Sequence, residues 1–265
     1  MIRLTEIKLD FRHSRKELID KITGILGIES CDLLSYKIHK KSIDARRRDV
    51  IYFIYTIDAE VENEGAVLER LSSSKKVSVT PDMEYNIIAQ ASVNKRKRPV
   101  IVGSGPCGLF AGVLLAEMGF EPLVVERGKR INERISDVED FWARGELNPE
   151  SNVQFGEGGA GTFSDGKLST GIKDRNNRRR KVLEIMVESG GPEEILYVNR
   201  PHIGTDKLIT VVRKMRERII SLGGEVRFES KVTDLRIEGG QIRGVEINGE
   251  EQIETDVVVF ATGHS

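Results

Sequence analysis

Cysteine is nearly absent from this chain: Cys31 and Cys107 are the two present in 265 residues. They stand too far apart for a C-x-x-C redox pair and are too few for a disulfide framework. That scarcity points to a reducing, cytoplasmic setting and argues against chemistry through a redox-active disulfide. Long apolar runs are missing too. None approaches the roughly 18 residues of a membrane span, and no signal-peptide core precedes the first strand, so no membrane partner is expected. An excess of one charge is also lacking, since 41 Lys and Arg against 42 Asp and Glu leave a formal net charge of -1. Nothing global therefore argues for a nucleic-acid partner. With 38% hydrophobic and 31% charged residues, the chain suits one large domain or two smaller ones.

What is present concentrates between Arg98 and Arg127. Val100, Ile101 and Val102 form a short β-branched run suited to a strand buried on both faces, and Gly103-Ser104-Gly105-Pro106-Cys107-Gly108 follows at once. Good helix formers run from Leu109 to Met118, with Gly119 where a C-terminal glycine belongs. A second apolar run, Leu123 to Val125, ends in Glu126. Strand, G-x-G-x-x-G turn, helix, second strand and terminal acid in register form a dinucleotide-binding fingerprint. Gly103 permits the tight turn, Gly105 lets backbone approach a pyrophosphate, and Gly108 lets the helix pack on the strand. The helix N-terminus faces the phosphates, and Glu126 accepts hydrogen bonds from a ribose.

Residues 1–94 read as a separate ferredoxin-like α+β domain. Ile2, Leu4, Ile7 and Leu9 suggest a strand, and Ser14 to Glu17 a capping box ahead of a helix that closes at Gly27. Strands are expected at Leu34 to Ile38, Val50 to Val61 and Tyr85 to Ala89, with a short helix near Glu64 to Leu71. Asp44 and Arg46 to Arg48 sit on the connection before the third strand and read as a solvated tip. Asn94 to Pro99 is a basic linker without interleaved aromatics.

Residues 95–130 open the nucleotide-binding domain, 131–224 form an inserted region, and 225–265 return to the nucleotide-binding domain, which is incomplete. Ile131, Ile135, Val138, Phe141 and Trp142 recur at helical spacing, which places Trp142 in the core. Asn152 to Leu168 carries five glycines between 156 and 166, too many for a strand or helix interior. Its literal G-x-G-x-x-G at Gly156, Gly158 and Gly161 is refused, because no strand precedes it and no helix follows. It reads instead as a loop that brings backbone close to a flat or anionic group. Helices follow near 177–188 and 205–222, the second opening on Thr205-Asp206 as its cap. His202, between them, reads as structural. Beyond Glu225 a β-meander leads to Thr255 to Gly263, expected as a fully buried strand.

The order of fingerprint, glycine-rich loop, meander and terminal Ala261-Thr262-Gly263 resembles the two-dinucleotide-binding-domain flavoproteins of the glutathione-reductase-like branch. More narrowly, the Phe155 to Leu168 loop, Pro201 to Asp206, Ala261 to Ser265 and the N-terminal Lys41 to Arg46 are similar to the FAD-dependent dehydrogenases also called NAD(FAD)-utilising dehydrogenases. The resemblance implies an α/β fold with a Rossmann-type FAD-binding domain and an oxidoreductase acting on a small-molecule substrate, with NAD(P)H as a possible electron donor. By that likeness Gly103, Gly105, Pro106, Gly108, Thr262 and Gly263 lie at the pyrophosphate, and Glu126, Arg127 and Val232 at the adenosine. Gly158, Gly159 and Lys167 lie near the flavin, where the Lys167 cation would favour the reduced ring. No metal site and no acid–base pair is evident. Members of that family run on well past Ser265, so the chain is expected to be an N-terminal portion that alone binds FAD weakly or not at all. A nucleotide-binding module without turnover, contacting RNA through the basic linker, stays open as the alternative, as does an NAD-dependent dehydrogenase.

Overall fold

The computed structural model describes residues 1–47, 49–91, 97–174 and 176–263. Arg48, Asn94 to Arg96 of the linker, and His264 and Ser265 of the terminal motif lie outside the described residues. The chain divides into two compact units, one of Met1–Glu84 with Glu193–Pro201, the other of Tyr85–Pro192 with His202–Ser265.

In the first unit β1 (Ile2–Asp10), α1 (Arg15–Leu26), β2 (Leu33–Asp44), β3 (Tyr52–Val61), α2 (Glu64–Arg70) and β4 (Val77–Val79) follow in order. The sheet runs β2-β3-β1-β4 with every neighbouring pair antiparallel, the ferredoxin-like split βαβ arrangement. Alternation decides which residues are buried. Ile2 and Leu4 of β1 and Tyr55, Ile57 and Ala59 of β3 pack with Leu18, Ile22 and Leu26 of α1. A bulge at Glu6, φ 56°, lets Ile7 join Leu4 in the same core.

Ser14 caps α1 as its sequence suggests: its Oγ accepts from Glu17 N, and Glu17 reaches back to Ser14 N at 2.6 Å. The last strand differs from expectation. It is Val77–Val79, paired with Ile2 to Leu4, whereas 85–89 forms no strand and Ile88 is exposed. The edge of β1 is already filled, so the later apolar run finds no partner there. Asp44 closes β2 and binds Arg46 through two contacts of 2.8 Å, which hold its carboxyl well below the usual range. Residues 193–201, in the region the sequence assigns to the insert, pair with β2 instead: Lys41 N donates to Tyr197 O at 2.7 Å and Asn199 N to Lys41 O at 2.9 Å.

The second unit carries β5 (Val100–Val102), α3 (Pro106–Glu117), β6 (Leu123–Val125), α4 (Ile131–Arg144), α5 (Arg178–Glu188), α6 (Thr205–Ser221) and β7 (Glu225–Arg227). Strands β8 (Val232–Glu238), β9 (Gln241–Ile247), β10 (Glu251–Glu254) and β11 (Val258–Phe260) complete it. A parallel sheet runs β11-β5-β6-β7 and an antiparallel meander β10-β9-β8. Every residue of β5 and β6 is buried, as their unbroken apolar runs require. Val245 and Ile247 of the meander pack against Val100, Val102, Leu123 and Val125.

Three expectations are corrected here. Trp142 is not core: it is 64% exposed and meets Phe163 edge to face, because the apolar stripe of α4 runs out after Val138. Strand β11 is not fully buried, since it forms a sheet edge on which Phe260 is exposed. Gly204, not Thr205, caps α6, and Thr205 Oγ1 instead donates to Ser164 O at 3.1 Å. Among the described residues no helix is long and apolar enough to cross a membrane.

Replacing Ser14 with Ala should lower the stability of the first unit by about 1 kcal/mol, the usual worth of an N-cap side chain. Urea unfolding followed by circular dichroism checks this, and an unchanged midpoint would contradict it.

Candidate functional site

The site begins where β5 hands the chain to α3. Gly103 turns with φ 101°, a conformation that favours glycine, and its N–H donates to Val125 O at 2.7 Å. A Cβ at Gly108 would lie 1.9 Å from Gly103 O, so helix and turn come this close only without a side chain. Gly105 differs. Among the described residues a Cβ there would meet nothing nearer than Gly159 Cα at 3.9 Å, so no contact among them demands a glycine. Gly105 is the N-cap of α3, which carries Pro106 at its start and no side-chain cap. The positive end of the helix is left bare at that point.

Glu126 follows β6 and is 5% exposed. One carboxylate oxygen accepts from Ser104 N at 2.8 Å and Ser104 Oγ at 2.9 Å. The other accepts from Gly128 N at 2.9 Å and Gly156 N at 3.1 Å. The acid thus sits beside the glycine turn, as its position after the second strand requires, and also ties down the glycine-rich loop.

That loop packs backbone to backbone on the turn. Gly158 N donates to Ser104 O at 2.9 Å, and a Cβ on Gly159 would lie 3.1 Å from Gly105 Cα. Arg134 of α4 organises the loop from beneath. Its fully buried guanidinium donates to the carbonyls of Asn152, Val153, Gly156, Glu157 and Gly159, at 2.6 to 3.4 Å. Burial pulls its pKa down to about 10, against the attraction of Glu126 and Glu157. Glu157 is also fully buried: one oxygen accepts from Ile131 N and from Arg216, each at 2.8 Å, and the other has no partner among the described residues. Burial raises its carboxyl above the ordinary range, more than the surrounding charges lower it.

Turn, loop, the Ser230 to Val232 segment and the Ala261 to Gly263 segment enclose a cavity of about 410 Å³. Of the residues expected at a cofactor, Gly103, Gly105, Pro106, Glu126, Arg127, Gly159, Val232, Thr262 and Gly263 line it. Gly108 and Gly158 do not, being buried behind the turn and the loop, where they permit the close packing. Lys167 does not line it either. Its ammonium is 75% exposed and bonded to Asp165 at 2.7 Å, which raises its pKa. Its backbone pairs with that of His202. Arg127 donates to Glu150 at 2.5 Å and lies 4.2 Å over the ring of Phe155, which also lines the cavity. Burial alone would raise the Glu150 carboxyl, but Arg127 and Lys231 outweigh it and hold it low.

Sequence reasoning passed over Arg134 and Glu157. A signal for Arg134 was available: it stands in the apolar stripe of Ile131 and Val138, where a charge needs buried acceptors. Glu157 had no such signal, since its partners come from α4 and α6. The part of the basic linker that is described is neutralised locally, Lys97 by Glu254 and Arg98 by Glu225. Among the described residues no group of three or more His, Cys, Asp or Glu could hold a metal.

Residues 101–156, from β5 to the start of the glycine-rich loop, match a family described as NAD(P)-binding Rossmann-like domain. Residues 1–60 match a Domain of unknown function (DUF8436). An uncharacterized protein of Clostridium beijerinckii is 40% identical over 264 residues, covering 100% of this chain and 49% of the relative. Digeranylgeranylglycerophospholipid reductase of Haloferax volcanii is 29% identical over 169 residues, 63% of this chain and 35% of that one. The chain thus spans half or less of the length of these relatives. Among solved structures, L-proline dehydrogenase from P. horikoshii aligns over 63% of this chain and 53% of its own, at 17% identity and a TM-score of 0.42. THI4 of Thermovibrio ammonificans aligns over 64% and 58%, at 19% identity and the same TM-score of 0.42. Likenesses this remote carry no functional argument.

Exchanging Arg134 for Met should strand the loop carbonyls without donors and cost roughly 3–5 kcal/mol. Arg134→Lys should recover only part, because an ammonium has three donors and no planar fork. Urea unfolding measures the cost, and emission from Trp142, the one tryptophan, reports the loop through its contact with Phe163. An unmoved midpoint in both variants would show that the guanidinium does not hold the loop.

Proposed function

We propose that the cavity seats the adenosine diphosphate half of FAD, and that the chain is the cofactor-binding portion of an FAD-dependent oxidoreductase acting on a small molecule. Gly105 carries this reading. It lines the cavity, caps a helix whose N-terminus has no side-chain cap, and is bare although nothing among the described residues requires it to be. A diphosphate fits that chemistry, since it takes hydrogen bonds from main-chain N–H groups at the positive end of a helix. In this reading Gly103, Pro106, Thr262 and Gly263 flank the diphosphate, Glu126 faces the ribose, and Arg127 and Val232 the adenine. Gly158 and Gly159 hold the wall toward the flavin. The volume lies within the ordinary range of ligand clefts, about 300–1,000 Å³.

When bound, the flavin supplies hydride or electron transfer. The chain's own residues then bind and orient. Gly108 brings the helix end against the turn, and Arg134 with Glu157 holds the glycine-rich loop. NAD(P)H as electron donor belongs to the same proposal. A second reading, that the dinucleotide is itself NAD, is favoured by the description of the matching family.

Calorimetric titration of the purified chain with FAD and with NAD⁺ separates the two: tighter binding of FAD supports the first reading, and binding of NAD⁺ alone supports the second. Gly105→Ser tests the seat itself. Serine caps helices at least as well as glycine, so folding should be kept. Its side chain would enter the cradle and take a helix amide, weakening FAD or ADP binding by at least about tenfold. Undiminished affinity in Gly105→Ser would remove the diphosphate from this turn.

A further inference from the structure

We infer that Glu150 makes the cleft reject an adenosine phosphorylated on its ribose, because its carboxylate already occupies the two cations that such a phosphate would need. This rests on the reading of the cavity as a dinucleotide seat and deepens it. Arg127 and Lys231 both line that cavity. Glu150 does not. It lines a second cavity of about 420 Å³, which shares Arg127 and Lys231 with the first. Its carboxylate bridges the pair, one oxygen accepting from Arg127 Nε at 2.5 Å and the other from Lys231 Nζ at 3.4 Å.

Charge decides what can land there. A phosphomonoester carries about −1.5 to −2 charge at neutral pH, and beside the occupied pair it meets a carboxylate in place of two open cations. Like charges brought together this way disfavour the ligand that carries them. Displacing Glu150 gains little, since one anion replaces another on the same donors. Nor does the second cavity offer the displaced carboxylate a better place. Lys129 there is already bonded to Asp137 at 2.8 Å, and Glu229 adds another negative charge.

An adenosine with free ribose hydroxyls makes no such demand on the pair, so Glu150 leaves it unopposed. Removing the charge of Glu150 is structurally mild. Its side chain is 44% exposed, that of Lys231 is 49% exposed, and Arg127 keeps the ring of Phe155 at 4.2 Å. Both cations then become open to the cavity they line. Glu150 is thus a specificity-determining residue that acts by exclusion, through the two groups it holds.

Calorimetric titration of the wild type and Glu150→Gln with ADP and with its 2′- and 3′-phosphorylated forms tests this. The wild type should bind ADP at least about tenfold more tightly than either phosphorylated form. Glu150→Gln should leave ADP within about threefold and tighten at least one phosphorylated form about tenfold, the worth of a hydrogen bond to a charged group. Glu126 is the same in both proteins, so the change in that ratio reads Glu150 alone. Adding Lys231→Met to Glu150→Gln should take most of the gain away, and Glu150→Ala serves if the glutamine variant does not fold. Phosphorylated forms tightened no more than ADP, or a gain untouched by the loss of Lys231, overturn the role of Glu150 and leave the dinucleotide seat standing. So does a wild type that binds them as well as it binds ADP. No binding of ADP by any of the proteins overturns both.

Discussion

A guanidinium buried away from water must find its acceptors in the protein, and Arg134 finds them in the carbonyls of residues 152–159. The rest of the site depends on that constraint. A segment so rich in glycine has the most conformational freedom to lose on ordering. Bonds from one rigid planar donor, itself fixed on α4, offset that loss along most of the segment. Glu157 completes the arrangement by receiving the first amide of α4 and Arg216 of α6. Loop and both helices are thereby joined through charges that cannot easily separate in a low-dielectric interior.

On this support two stretches of nearly bare backbone meet. The turn after β5 and the glycine-rich loop touch at Gly105 and Gly159, with Glu126 receiving an amide from each side. One carboxylate therefore couples the segment proposed to hold the diphosphate to the segment that walls the cleft. It also explains why an acid at that position is nine-tenths buried without a cation bonded to it: main-chain N–H groups and one hydroxyl supply the stabilisation. The glycines of the site divide by cause. Gly103, Gly108 and Gly158 answer to close packing or a left-handed backbone, whereas Gly105 answers to open space.

The first unit stands on different physics. Its core is an alternating sheet under amphipathic helices, and a part-buried ion pair, Arg3 with Asp58 at 2.7 and 2.8 Å, ties neighbouring strands. Residues 193–201 enter that unit by main-chain bonds to Lys41. Backbone pairing of this kind leaves almost no trace in side-chain pattern.

Local periodicity and turn chemistry by themselves determined the strand–turn–helix–strand of residues 100–126, the capping box of α1 and the meander after Glu225. Each of these depends on neighbours within a few residues, where spacing and side-chain type are read directly. They also determined which glycine run was the turn of the Rossmann-like unit and which was a loop. Tertiary structure alone decided that Arg134 serves the loop, that Glu126 is saturated by donors from three separate segments, and that Lys167 turns to Asp165 and away from the cleft. It also decided that 77–79 and not 85–89 completes the first sheet, and that Trp142 stays outside the core. Lys167 apart, whose partner stands two residues away, the partner in each case lies far along the chain or on another element, and the outcome turns on which group reaches a buried donor, acceptor or strand edge. Spacing along the sequence carries no record of that.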